Sequence, residues 1–168
     1  VSLPVLAEDV VISSGGRGGS YFATGEKLAD ILVEYDYQAS SVKSKGSIEN
    51  IERVTSGEAT LGFTQLDALA WWMGRNPEKA ADLKVLGNLY TECVYVAVNK
   101  DGPVRDEGDL QSSDARVAVQ KRGSGSAVSW SYMQDLEPDF AKGSTFFQGG
   151  LQLLNEIAAK PDGDINAF

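Results

Sequence analysis

The chain uses one turn twice, and that turn limits the fold more than any other feature. Val10-Val11-Ile12-Ser13-Ser14 runs as an apolar strand into Gly15-Gly16-Arg17-Gly18-Gly19-Ser20, and Lys27, Leu28, Ile31 and Leu32 continue at helical spacing. Arg116-Val117-Ala118-Val119-Gln120-Lys121-Arg122-Gly123-Ser124-Gly125-Ser126 repeats the grammar before Ala127-Val128-Ser129-Trp130. A strand, a Gly/Ser loop and a helix start together leave backbone N–H groups without an intrahelical partner and aim a positive dipole end at one spot. Two such cradles point to the capture of a charged small molecule.

Around the two turns, strand and helix patterns alternate. Strands are expected at Val10–Ser13, Ala39–Val42, Thr60–Thr64, Leu83–Leu86, Cys93–Val98, Arg116–Val119, Thr145–Phe147 and Asp164–Ala167. Helices are expected at Tyr21–Glu34, Ser47–Ser56, Gln65–Met73, Ser126–Asp135 and Gly150–Ala159. The first helix carries Leu28, Ile31, Leu32 and Tyr35 as an apolar stripe, and the last carries Leu151, Leu154, Ile157 and Ala158. Ser47 is the expected N-cap of the second helix, with Gly57 just past its end. Strands alternating with helices of this length predict an α/β fold with parallel sheets covered on both faces. A polar cluster, Asn99-Lys100-Asp101-Gly102-Pro103, divides the pattern into a first α/β lobe over 8–98 and a second over 99–168. In open α/β sheets ligands bind beyond the carboxyl ends of the strands, which is where both glycine loops fall. The expected site is therefore a cleft between two lobes.

Composition narrows the function. The 168 residues carry a formal charge of −9, which argues against a nucleic-acid partner, since phosphate binding needs a basic face. There is no histidine, so the commonest general base and metal ligand are missing, and no metal site or cofactor is expected. Cys93 lies in the apolar run Cys93-Val94-Tyr95-Val96-Ala97-Val98 and reads as a core thiol, with no second cysteine to pair with. Residues 1–7, Val1-Ser2-Leu3-Pro4-Val5-Leu6-Ala7, place Val5 and Ala7 as the −3 and −1 positions of a signal-peptidase site, which would make them the remnant of a secretory signal peptide.

Glycine loops also serve nucleotides, but neither copy here carries that machinery. In the G-x-G-x-x-G pattern started at Gly16 the third place holds Tyr21, and started at Gly123 it holds Val128. A phosphate loop started at Gly19 meets Thr24 where glycine is required. Anion capture without a phosphate motif fits better. Gly18 and Gly19 let backbone approach a ligand, Ser20 adds a hydroxyl and Tyr21 a flat wall; Ser124 and Ser126 repeat the offer. Lys43-Ser44-Lys45-Gly46-Ser47 is a third polar loop opening a helix, and Arg17, Lys43, Lys45, Lys121 and Arg122 put cations in these loops. Trp71, Trp72 and Met73 close a helix and read as packing residues. Tyr90 and Glu92 precede an expected strand, where Glu92 would suit a ligand ammonium or stand as a solvated carboxylate. Asp67 reads as a cap of its own helix. No nucleophile–base pair points to an enzyme.

These stretches together resemble the TAXI family, the solute-binding proteins of one class of tripartite ATP-independent periplasmic (TRAP) transporters. The likeness rests on Ile12 to Phe22, Gly46-Ser47-Ile48-Glu49-Asn50-Ile51, Ser56 to Ala68, Leu89-Tyr90-Thr91-Glu92, Gly123-Ser124-Gly125-Ser126 and Gly163 to Phe168, in family order. The resemblance implies a type II periplasmic binding-protein fold, two α/β lobes flanking a ligand cleft. It implies a periplasmic receptor that captures a small carboxylate, such as a glutamate- or glutamine-like amino acid, and hands it to the membrane permease subunits. By motif position it implies ligand contacts from Gly19, Ser20, Tyr21, Ser47, Gln65 and Tyr90, and from Ser124 and Ser126 in the second lobe. The family carries Asp where this chain has Asn166. Family members also continue past the position of Phe168, so the second half of the usual fold is expected to be incomplete. An uncovered first-lobe sheet would then favour a homo-oligomer. The competing expectation is a truncated relative with a structural, interaction or immunogenic role and no transport function.

Overall fold

A computed structural model describes residues 9–168, and the leader read from Val1–Ala7 lies outside them. The chain divides into two compact units, one running to Asn88 and the other from Leu89 to Phe168. The polar cluster Asn99–Pro103 falls inside the second.

In the first unit the β-branched run Val10-Val11-Ile12 forms the central strand, β1 (Asp9–Ser13). It pairs in parallel with β2 (Gln38–Val42), Val10 opposite Ala39, and with the short β3 (Leu61–Gly62), Ile12 opposite Leu61. The order β2-β1-β3 follows from two crossover helices, α1 (Ser20–Glu34) and α2 (Ser47–Ser56). Successive side chains of an extended strand point to opposite faces. Ser14, just past β1, meets α1 at Gly25, whereas Ser13 bonds Asn50 of α2, so the two helices cover opposite faces. A third helix, α3 (Leu66–Arg75), and the short α4 (Pro77–Ala80) pack with α2 through Ile51, Leu69, Trp72 and Ala80.

Two details of these helices differ from the sequence pattern. The seam of α1 is Gly25 and Ala29, while Ile31 and Tyr35 of the expected stripe are exposed. The reason is proximity: a Cβ on Gly25 would sit 2.6 Å from Ser41 Oγ, so the helix lies too close to the strands for large side chains. The N-cap of α2 is Gly46 rather than Ser47, at φ 123°, where an L side chain is strained; Gly57 ends the helix in the left-handed region as expected.

In the second unit β4 (Arg116–Ala118) and β5 (Ser144–Phe146) pair in parallel. Ala167 bridges Val117 in parallel and Val98 antiparallel. The alternation of β4 sends Val117 towards a cluster with Ala127 and Trp130 of α5 (Gly125–Leu136), and Ala118 towards Leu153 and Ile157 of α6 (Leu151–Ala159). Two single-turn 3-10 helices, Gly108–Gln111 and Pro138–Ala141, add Leu110 and Phe140 to the α5 side. The buried face of α6 is therefore Leu153 and Ile157, with Leu151 80% exposed and Ala158 exposed, a correction to the expected stripe.

Three expected strands do not form. Cys93–Val98 and Asp164–Ala167 contribute only the bridge residues Val98 and Ala167, and Leu83–Leu86 has no strand partner. Cys93 is exposed, not a core thiol, because the segment around it lies open: Val94 and Tyr95 are 73% and 85% exposed.

Candidate functional site

The first glycine turn closes with Gly19 N donating to Gly16 O at 3.0 Å, and Gly18 at its corner adopts φ 87°. Gly15 is tight as well, since a Cβ there would lie 3.0 Å from Tyr21 Cβ. The turn delivers the chain into α1 with Gly19 as cap residue, and no side chain caps this helix start. The loop after β2 lies against it: Ser44 N donates to Gly15 O at 3.1 Å. Within that loop Ser44 Oγ accepts from Gly46 N and Glu49 accepts from Lys45 N, which shapes the approach to α2 while leaving its cap without a side-chain bond. The loop after β3 closes the set. Gln65 N donates to Ser47 Oγ at 3.3 Å, and the Tyr21 and Phe63 rings stand 5.7 Å apart. Three helix starts thus gather at the carboxyl edge of one parallel sheet, and none of α1, α2 or α3 is capped by a side chain. Their dipoles and first-turn N–H groups favour an anion there.

Beneath the loops Asn50 holds the edge together. Its side chain is fully buried and fully used: Nδ2 donates to the carbonyls of Ser14 and Phe63, both at 2.7 Å, and Oδ1 accepts from Ser13 Oγ at 2.6 Å. Those bonds tie the ends of β1 and β3 to α2. On the same helix Arg53 pairs with Glu49, reaches Glu58 at 3.5 Å and donates to the carbonyl of Lys43 at 3.0 Å. The loops carry Arg17, Lys43 and Lys45 within a chain of net charge −9, while Glu49 and Asp67 stand in the first turns of α2 and α3.

The second unit builds the same turn. Ser124 N donates to Lys121 O at 3.1 Å, Gly123 adopts φ 81°, and the cap residue Ser124 has φ −71° and ψ 157°, close to the −89° and 159° of Gly19. At the cap position the second copy adds a hydroxyl. Ser124 Oγ accepts from Ala127 N at 3.4 Å, a long bond that caps its own helix. Arg122 sits 3.5 Å over the Phe147 ring, so that cation has a partner within its own unit. Ser126 lies exposed in the first turn of α5.

A family model describing the NMT1-like family matches residues 12–138, a span that takes in both turns and every helix from α1 to α5. The chain belongs to the NMT1-like family. This family is related to periplasmic solute-binding proteins.

In this NMT1-like chain, five residues expected at a ligand come together at the first sheet edge: Gly19, Ser20, Tyr21, Ser47 and Gln65. Ser47 is buried, its hydroxyl accepting from Gln65 N, so it supports the site from below. Ser124 and Ser126 sit at the second turn. Tyr90 and Glu92 lie in the exposed stretch before Val98 that joins no strand. Asp67 stands inside the first turn of α3, where its carboxylate accepts from the adjacent Ala68 N at 2.8 Å, while the cap residue is Gln65. Asn50, Ser13, Ser14 and Phe63 were not anticipated. The available signal was Asn50 itself, a polar residue three beyond Ser47 on the face that also carries Ile51 and Val54. Among the described residues no three His, Cys, Asp or Glu gather as a metal site, and no helix is long and apolar enough to cross a membrane.

Proposed function

We propose that this NMT1-like protein is an extracytoplasmic receptor for a small carboxylate, a glutamate- or glutamine-like amino acid or another organic acid, serving a TRAP-type secondary transporter. One observation carries the reading: three helix starts without side-chain caps meet at one sheet edge, joined by loops that carry Arg17, Lys43 and Lys45. A carboxylate there accepts from first-turn backbone N–H groups of these helices, as charge-assisted bonds that need no counter-ion. The Tyr21–Phe63 pair offers an apolar wall for the rest of the solute. Ser124 and Ser126 are proposed contacts of the same kind on the second unit, with Tyr90 and Glu92 as candidates for an ammonium-bearing ligand. Capture needs only binding, and no residue is assigned a catalytic role.

Calorimetric titration of the chain with amino acids and dicarboxylic acids tests this. Ser20→Ala and Ser124→Ala are each expected to weaken binding several-fold, by about 1 kcal/mol for a lost hydrogen bond. Unchanged affinity in both would refute the cradle. A second reading, an interaction protein without a transport role, is favoured by the exposed run Val85, Leu86, Leu89, Val94, Tyr95 and Val96. Light scattering that finds an obligate oligomer, together with silence towards every acid, would support it over the first.

A further inference from the structure

Beside the helix starts, the first unit holds a pocket of about 470 Å³ lined by Arg17, Lys43, Arg53 and Glu58, with Val11, Phe22 and Val42 supplying apolar surface. Its volume falls in the range that holds a metabolite-sized molecule. Three cations against one carboxylate is an unusual lining in a chain with 24 acidic and 15 basic residues. The cations are not equivalent. Arg53 is engaged by Glu49 and Glu58 and anchored on the Lys43 carbonyl, so its charge is answered by the protein. Arg17 and Lys43 are exposed and form no salt bridge among the described residues. They stand on two loops that are hydrogen-bonded together through Ser44 N and Gly15 O, so their backbones are held side by side.

We infer that this pocket is a second anion site, built from side chains rather than helix starts, and that it takes an organic dianion with a short apolar body. Arg17 and Lys43 supply the two uncommitted charges. A guanidinium and an ammonium together suit either a pair of carboxylates or a single phosphate group. Arg53 stays with its own carboxylates and shapes the floor, while Val11, Phe22 and Val42 receive the apolar body. Because the two cations are exposed, their attraction is screened by salt, whereas apolar contact is not.

Titrating the full chain with glutarate, with a short alkyl phosphate and with butyrate, at low and at physiological ionic strength, tests the assignment. A dianion is expected to bind about tenfold more tightly than butyrate, with the advantage shrinking as salt rises. The double variant Arg17→Gln/Lys43→Gln is expected to lower that ratio at least about fourfold, each exposed contact contributing about twofold to fivefold. Lys100→Gln, an exposed cation of the second unit, is the control and leaves the ratio unchanged. Comparison of glutarate with the alkyl phosphate separates the two sources of dianion. A wild-type ratio near one, or a ratio unmoved in the double variant, would overturn the pocket while acid binding at the helix starts stood. Silence of a folded sample towards all three acids would also overturn the pocket, and the amino-acid titration would then decide the helix-start reading.

Discussion

Asn50 shows how much one amide does in this protein. Replacing it with alanine would strand the carbonyls of Ser14 and Phe63 and the Ser13 hydroxyl, all at the loops that form the site. With about 1 kcal/mol per lost bond and more for groups left unpaired, Asn50→Ala should cost about 3 kcal/mol in urea unfolding. Asn166 poses the same test in the second unit. Its Oδ1 accepts from Arg116 N and its Nδ2 donates to Asp114 O, both at 2.8 Å, and only an amide does both. Asn166→Asp should therefore destabilise by about 1–3 kcal/mol at neutral pH, turning a donor into a buried negative charge against a carbonyl. The resemblance expected Asp at this position; the hydrogen bonds explain why this chain holds Asn. Gly25→Ala sets two effects against each other. Helix propensity favours alanine by about 1 kcal/mol, but the new methyl would meet Ser41 Oγ and Ser14 Cβ at 2.6 and 2.8 Å. Overpacking of that kind costs about 1–3 kcal/mol, so the substitution should lower the melting temperature. None of these residues was legible as functional in the sequence. A lone Asn on a helix looks like surface until the strand it faces is known.

Elements differ in how openly the sequence declares them. Helices carry their own instructions: α2 spans Ser47–Ser56 as expected because its ends are marked by Gly46 and Gly57 and its interior holds no glycine or proline. The paired turns are equally legible, since a left-handed corner calls for glycine. Gly18→Ala and Gly123→Ala, at φ 87° and 81°, should each cost about 1 kcal/mol, whereas Gly16→Ala, with open space around it, should stay within about 0.5 kcal/mol. Strands are different, because β propensity supplies side chains but not a neighbour. Cys93–Val98 has the composition of a strand, yet only Val98 finds a bridge, and Cys93 becomes exposed. Apolar faces were legible only approximately. In α6 the burial of Leu153 rather than Leu151 depends on where Ala118 stands, and unfolding measurements should separate them. Leu153→Ala is expected to cost about 2–4 kcal/mol, and Leu151→Ala under about 0.5 kcal/mol.

For the whole molecule, the alternation of strands and helices sufficed to predict a mixed α/β chain with parallel sheets, and membership of the NMT1-like family gives that architecture a solute-binding context. The site in the first unit was half legible: the loops were, because glycine and serine at helix starts have a direct electrostatic meaning. What joins the loops was not, because it lies in hydrogen bonds between residues far apart in the chain, such as Ser13 with Asn50, 37 positions on. The central claim is that helix starts at this sheet edge hold a carboxylate. Thermal unfolding of the full chain with matched acids and their primary amides tests it most directly. The account predicts that at least one acid raises the melting temperature, with about 2.7 kcal/mol of stabilisation at a hundred times its Kd, while its amide has little effect. Equal shifts for acid and amide, or none with any acid, would contradict it.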